Sequence, residues 1–291
     1  TADSLRAVRC FLCAVRHKFA AVAITTAFAG QKGYNKRTLR QNPLRHGCAM
    51  PPPSLVSRQT RQGLTERVLN KEFFMFDQPF TLAQVRPIRS AMTVSRPAGL
   101  GRQVPVTWFS LGAGTSITPE SYDCTTLYLG GEGSGAFILG GDGRTVAMGP
   151  GQLLAVPPKT LCGCKTACGM IYTEIILKKE NFTMNNILKA GQPTQLKDLI
   201  SYEAGSIANL DLVHADNMKF VLMAFDEGTG LTPHRAPGNA ILTALEGKAI
   251  IGYEGKDYEL TAGQSFRFDK NGLHSVTPQG KFKMSLLLVI E

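Results

Sequence analysis

Two histidines forty residues apart, His234 and His274, are the residues of this sequence best suited to chemistry. A neutral imidazole binds zinc, iron, manganese or nickel through either ring nitrogen, and two imidazoles brought together can share one ion. Each follows a glycine, Gly228 six positions before His234 and Gly263 eleven before His274. The stretch around His234 has a degenerate copy 114 positions earlier. Gly114 meets Gly228, Thr118-Pro119 meets Thr232-Pro233, and Glu132-Gly133 meets Glu246-Gly247. Gly151-Gln152 then meets Gly263-Gln264 after a two-residue slip. A repeat of this length is a duplicated domain, far longer than a solenoid unit. The copies differ where chemistry would lie: Glu120 and Cys162 replace the two histidines.

Both copies resemble the cupin family at its two glycine-anchored motifs. The first motif runs Gly, five residues, His-x-His, Glu after three or four, then Gly after six more. Here Gly228, His234 and Gly247 fit, Ala236 replaces the second histidine, and Ala240 and Ile241 fill the glutamate window. The second motif runs Gly, five residues, Pro-x-Gly, two residues, His. Gly263 and His274 fit it, with Asp269 at the proline and Asn271 at the glycine. The stretch His234-Arg-Ala-Pro-Gly-Asn-Ala240 is also similar to small bacterial cupins without an assigned reaction.

The resemblance implies an all-β fold of two tandem jelly-roll barrels, preceded by an unstructured basic N-terminal segment. It implies that His234 and His274 project into one barrel mouth and there hold a divalent transition metal, Fe, Mn, Ni or Zn. Asn239, one residue before the glutamate window, is a weak amide-oxygen candidate. In the first copy Glu120, Tyr122 and Cys162 fall on ligand positions, Thr126 on the glutamate, and Cys124 lies nearby. That copy is expected to have lost its site, with Cys164 and Cys168 beyond the barrel mouth. Arg235 should point away from His234 by strand alternation. His214 is expected on a surface turn over Val213–Asn217. Met223, Phe225, Leu242, Phe268 and Met284 are expected as core or pocket wall, the latter making any cavity mostly apolar.

The charge is divided unevenly. Residues 1–74 hold 13 Lys+Arg against 3 Asp+Glu, whereas residues 75–291 hold 19 of each. The globular part therefore shows no net bias toward nucleic acid or an anionic membrane. Seven cysteines without the spacing of a small secreted domain point to a reducing compartment and a cytoplasmic protein. The basic segment keeps three readings. Arg6, Arg9, Arg16 and Lys18 precede an apolar run at Phe19–Ala29, as in a signal peptide, which would make the protein secreted. Arginine excess with few acids also suits an organellar transit peptide. The third reading starts translation at Met75, because Lys71-Glu72 can be encoded by a ribosome-binding sequence six nucleotides upstream. Cys10 and Cys13 form a lone Cys-x-x-Cys, weak evidence for zinc.

From Phe80 onward short β-runs alternate with glycine and proline, and no long amphipathic helix stands out. In the first copy strands are expected at 91–95, 104–111, 125–129, 135–139, 153–156 and 171–177. In the second they are expected at 206–213, 219–225, 241–245, 249–253, 257–260, 265–268 and 281–290. The division is then 1–74, an extension; 75–177, a degenerate barrel; 178–198, a linker with short helices at 185–188 and 195–200; and 199–291, the barrel with the candidate site.

Two functions fit. One is a metal-dependent enzyme or enzyme-like protein acting on a small molecule through His234 and His274. The other is a non-catalytic barrel, binding a small ligand or dimerising. No phosphate-binding loop, nucleophile elbow or basic-aromatic stripe appears in 75–291, so neither nucleic acid nor membrane is an expected partner. The resemblance implies a homodimer through strand edges.

Overall fold

The computed structural model describes residues 77–178 and 181–291, so the readings of the basic segment, Cys10-x-x-Cys13 and Phe19–Ala29 lie outside the described residues. The chain forms two β-barrels within one compact unit. A single helical turn, α1 (Leu82–Val85), leads into the first barrel. Its strands are β1 (Thr93–Pro97), β2 (Val106–Leu111), β3 (Ser116–Glu120), β4 (Thr125–Gly133), β5 (Gly135–Leu139), β6 (Arg144–Met148), β7 (Gln152–Val156), β8 (Cys162–Lys165) and β9 (Met170–Leu177). Two short strands follow, β10 (Phe182–Met184) and β11 (Thr194–Gln195), then a 3-10 turn at Leu196–Asp198. The second barrel comprises β12 (Ile207–Ala215), β13 (Met218–Phe225), β14 (Leu231–Arg235), β15 (Asn239–Glu246), β16 (Lys248–Tyr253), β17 (Lys256–Thr261), β18 (Ser265–Phe268), β19 (Leu273–Pro278) and β20 (Phe282–Val289).

Each barrel is a six-stranded sheet facing a four-stranded one. The orders are β1-β2-β9-β4-β7-β11 with β3-β8-β5-β6, and β10-β12-β13-β20-β15-β18 with β14-β19-β16-β17. Three apolar cores result. Phe109, Phe137 and Tyr172 centre the first barrel, and Phe225, Phe266 and Phe282 the second. Trp108, Ile175, Phe220, Ile241 and Leu287 form a third core between the barrels. The central strands are therefore buried on both faces. On β20, Phe282, Met284 and Leu288 point into the barrel, and Leu287 and Val289 into the inter-barrel core. This is why Met170–Leu177 and Phe282–Val289 are mostly apolar on both faces, interrupted by Thr173, Glu174, Lys283 and Ser285. Burying each large side chain of the third core contributes about 1.5–3 kcal/mol. That shared core is a large apolar surface that each barrel would expose to water if the two were apart.

The segment in front of each barrel crosses to the edge of the other. Phe80 exchanges two backbone hydrogen bonds with Ser265 on β18, at 2.9 and 2.8 Å. Thr194, 114 positions later, pairs with Leu153 on β7, the corresponding edge of the first barrel. These crossed arms close two edges that would otherwise be open for pairing. A capping box starts α1 just beyond Phe80: Thr81 Oγ1 accepts from the Gln84 N–H at 3.3 Å, and the Gln84 side chain accepts from the Thr81 N–H at 2.7 Å. The repeated glycines have a steric reason. Gly133 and Gly247 adopt φ of 66° and 76°, and a Cβ there would strike the carbonyl oxygens of Gly169 and Lys281.

Several expectations need correction. Strands β3, β6, β8, β14 and β19 were not among those expected, and β10 and β11 lie in the segment read as a linker. β14 is mostly solvent-exposed and contains Pro233, which an edge strand tolerates, so it lacks the apolar alternation that marks a strand. Residues 185–188 form a hydrogen-bonded turn instead of a helix, with Asn185 Oδ1 accepting from the Ile187 N–H at 3.1 Å. Within 195–200 only Leu196–Asp198 is helical. His214 is exposed as expected but lies on β12, not in a turn. Among the described residues no helix is long and apolar enough to cross a membrane.

Phe80 is about 1 % exposed and its ring meets Trp108 edge-on at 6.1 Å. Phe80→Ala is expected to cost about 3–5 kcal/mol, the usual range for deleting a buried phenyl ring. Thr81→Ala, which only removes a cap, should cost about 1 kcal/mol. Urea unfolding of both variants checks the ordering, and equal midpoints would contradict the proposed role of the arm.

Candidate metal centre

β14 and β19 bring the two histidines together as direct cross-strand partners. Their ring centroids lie 4.3 Å apart at 53°. An irregularity in the pairing between Leu231 and His234 re-aims the end of β14. His274 is buried and stacks on Phe268 at 4.2 Å and 20°, whereas His234 is exposed. Nδ1 of His234 lies 2.8 Å from the Thr232 carbonyl oxygen, and Nδ1 of His274 lies 2.9 Å from that of Gly272. A carbonyl only accepts, so each Nδ1 carries a proton, and Nε2 is the nitrogen with the lone pair in the neutral form of each ring. Such a bond to the far nitrogen is how proteins orient metal-binding imidazoles.

The donor set suits a divalent transition metal held by Nε2 of both rings, with its remaining positions left to non-protein ligands. Among the described residues no third His, Cys, Asp or Glu joins the pair. Strand parity explains this. Ala240 faces the barrel interior and Ile241 the inter-barrel core, so the inward position of the glutamate window carries only a methyl group. Ala236 packs against the same interior core. Asn239 has a different role from the one expected. Its Nδ2 donates to the Leu100 carbonyl and its Oδ1 accepts from the Lys270 N–H, both at 2.9 Å, so its amide clamps the first barrel to the β18–β19 turn.

Arg235 behaves as alternation requires. Its guanidinium donates to the Asn271 carbonyl and pairs with Glu254 at 3.6 Å. Glu254 in turn accepts from the Leu273 N–H at 2.6 Å, so the pair steadies the start of β19. Both side chains are more than half exposed, and the pair contributes at most about 1 kcal/mol. Asn271 has φ of 63°, and asparagine is one of few residues that can replace glycine in this conformation.

Burial holds the His274 imidazolium below the usual histidine range; the Gly272 hydrogen bond opposes this and the neighbouring His234 adds to it. Tyr253 is the partner of His274 on its other side, and burial raises its phenol above the usual range. It is therefore a neutral hydroxyl near the pair. Of the expected wall residues, Met223, Phe225, Leu242, Phe268 and Met284 all lie in the closed core, and Phe268 alone stacks on the pair. Sequence reasoning missed the Thr232 and Gly272 carbonyls, since main-chain groups carry no residue-type signal. Their common offset, two residues before each histidine, was the available clue.

The first barrel reproduces the register with other chemistry. Glu120 pairs with Cys162 across β3 and β8, and the pairing irregularity recurs between Ile117 and Glu120. Cys162 and Cys164 both point into the barrel, which corrects the placement of Cys164 beyond its mouth; residues two apart on a strand share a face. Cys164 donates to the Tyr172 hydroxyl at 3.7 Å, and Tyr128 is hydrogen-bonded to Cys162. Burial, then the Glu174 carboxylate, pushes the Tyr128 phenol well up; burial does the same to Tyr172. Thiols among buried phenols and phenyl rings are poor nucleophiles. Tyr122 and Cys124 are half-buried near this end, and Cys168 is exposed beyond it.

A family model for the cupin domain matches residues 221–290. No curated protein matches the sequence. Among solved structures, a cupin 2 conserved barrel domain protein from Leptotrichia buccalis is 24 % identical, covering 73 % of this chain and 96 % of its own, with a TM-score of 0.64. A salicylate 1,2-dioxygenase from Pseudaminobacter salicylatoxidans is 12 % identical over 73 % of this chain and 83 % of its own, TM-score 0.53. A mutant of that dioxygenase in complex with gentisate is 12 % identical over 83 % and 93 %, TM-score 0.52. At these identities the solved structures speak for the fold alone, and they share it across both halves. Residues 221–290 thus match a cupin domain, and each half of the chain folds as a jelly-roll barrel, the two-barrel arrangement that these solved structures share.

Proposed function

We propose that the second barrel binds a divalent transition metal, iron, manganese, nickel or zinc, at the Nε2 atoms of His234 and His274, and presents it to a small oxygen-bearing organic molecule. The observation that supports this reading is the matched pair of Nδ1 contacts to Thr232 and Gly272, which makes Nε2 the ligating nitrogen of each neutral ring on adjacent strands. Such a metal acts as a Lewis acid toward a bound oxygen when present. The chain's part is positional. The two carbonyls hold the tautomer, Phe268 supports the inner ring, and Ala236 and Ala240 leave space where the family's other ligands would stand. Two protein ligands hold a metal less tightly than three, so the ion should exchange readily.

A second reading, a barrel that binds a small ligand without metal or catalysis, is favoured by the absence of a third acidic, thiol or imidazole group at the pair among the described residues. Elemental analysis separates the two. The 291-residue chain, brought to equilibrium by dialysis against each of the four ions at a fixed free concentration, should hold near-stoichiometric metal above the dialysate level. The His234→Ala, His274→Ala double variant should lose it, with affinity down at least about 100-fold. Equal retention by the double variant, or none by the parent chain, would remove the metal reading. Salicylate and gentisate, the molecules named with the similar dioxygenase structures, are the first substrates to try on a metal-loaded sample.

In chelator-treated protein His274 should also set a pH dependence of stability. Unfolded, His274 takes its proton near the ordinary 6.5; folded, only at lower pH. The unfolded chain thus binds more protons as pH falls below 6.5, and stability falls with it, while above that value it is fully present. The urea midpoint is expected to be flat above about pH 7 and to decline below 6.5. The decline should be shallower in His274→Phe, which keeps the stack on Phe268 but cannot titrate.

A further inference from the structure

The core between the barrels is not filled. A cavity of about 210 Å³ lies where the two six-stranded sheets face each other, walled by Trp108, Ile175, Phe220, Ile241 and Leu287. Dry apolar cavities of about 150 Å³ already bind benzene, so this one has room for a single ring with one substituent. Two features distinguish it from a packing flaw. First, it sits on the axis of the duplication. Thr173 lies between Trp108 and Leu129 in the first barrel, and Ser285 lies between Leu222 and Thr243 in the second, at matching positions. Second, it is polar at two chosen points. Thr173 and Ser285 are 6 % and 2 % exposed and line the cavity, and neither side chain has a hydrogen-bond partner among the described residues.

A largely buried hydroxyl without a protein partner is unfavourable, so two such groups facing one space mark where a guest's oxygen would be held. Neither hydroxyl belongs to a group buried without any access: both open into the cavity, where a guest's oxygen could satisfy them. Thr243 and Ser265 also line the space but bond to each other at 2.8 Å and so ask for nothing. The charged residues at the cavity, Glu132 and Lys197, are only partly buried, and Glu132 already accepts from the Ala83 N–H at 2.7 Å. The deep part thus offers apolar walls and neutral hydroxyls, which disfavours an ionised guest.

We propose that this inter-barrel cavity is a binding site for a small neutral aromatic alcohol, its ring against Trp108 and Phe220 and its hydroxyl bonded to Thr173 and Ser285. The site is separate from the histidine pair and needs no metal. The chain contains one tryptophan, and it is Trp108, so the site reports on itself.

The test titrates the metal-free chain with benzyl alcohol, excited where the ligand does not absorb. A saturable change in Trp108 emission is expected, with a midpoint on the order of a millimolar. It should persist in the His234→Ala, His274→Ala variant, which keeps failure at that pair distinct from failure here. Ser285→Leu, which fills the space, should abolish it. The paired Ser285→Ala and Thr173→Val substitutions should weaken benzyl alcohol at least about tenfold while leaving toluene binding intact, and benzoate should bind at least tenfold more weakly than the alcohol. Thermal unfolding of each variant confirms folding, and Thr173→Leu serves as the filling variant if Ser285→Leu does not fold. No saturable change with either neutral probe, undiminished binding in the filling variant, or equal affinity for benzoate would overturn the proposal.

Discussion

The structure depends on burying two large sheets against each other. A jelly roll normally hides one face of each sheet and leaves the other to solvent. Here the outer faces of both six-stranded sheets are apolar, and Trp108, Phe220, Ile241 and Leu287 have nowhere else to go. That constraint assigns the remaining surfaces. The four-stranded sheets, of which the second carries β14 and β19, contribute nothing to the inter-barrel core. The histidine pair therefore sits on the part of the molecule that packing does not claim. One ring is anchored on Phe268 and the other faces solvent.

Duplication preserved the geometry of the site and let its chemistry diverge. The same cross-strand register holds His234 against His274 and Glu120 against Cys162. In the second barrel, backbone carbonyls orient two imidazoles through their Nδ1 atoms. In the first, buried thiols and phenols satisfy one another, with Tyr172 also stacked on Phe109 at 5.1 Å. That interior is closed by its own hydrogen bonds, which suits a packing partner better than a reaction chamber.

Much of the fold was legible because the central strands are long apolar runs between glycine turns. β5 and β18 were read to the residue. Among the strands that escaped are the four that carry the paired positions, β3, β8, β14 and β19. β8 is Cys-Gly-Cys-Lys and β14 is Leu-Thr-Pro-His-Arg, both poor in the residues that favour strands. Local rules fail most often where function competes with propensity. Pairing of His234 with His274 was readable only through the family resemblance, since nothing local joins positions forty apart. Asn239 shows how one residue of offset changes a role, because alternation decides which neighbour faces the interior. The crossing of the arms could not be read at all: Phe80 and Thr194 look like ordinary leaders, and only the assembled edges reveal their destinations.

Those arms carry a consequence for how such a molecule holds together. Each barrel's edge is capped by a short segment belonging to the other copy, a bridge at Phe80 and a two-residue strand at Thr194, so a lone barrel with its own leader would have an uncapped edge. Two separate copies could complete each other only by meeting, at a rate and yield set by their concentration. Joining them through residues 178–198 replaces that encounter with an intramolecular one, at an effective concentration of order millimolar for a short tether. The chain is in this sense a dimer that cannot be diluted apart. Its two halves are free to drift in sequence because their partnership no longer rests on mutual affinity alone.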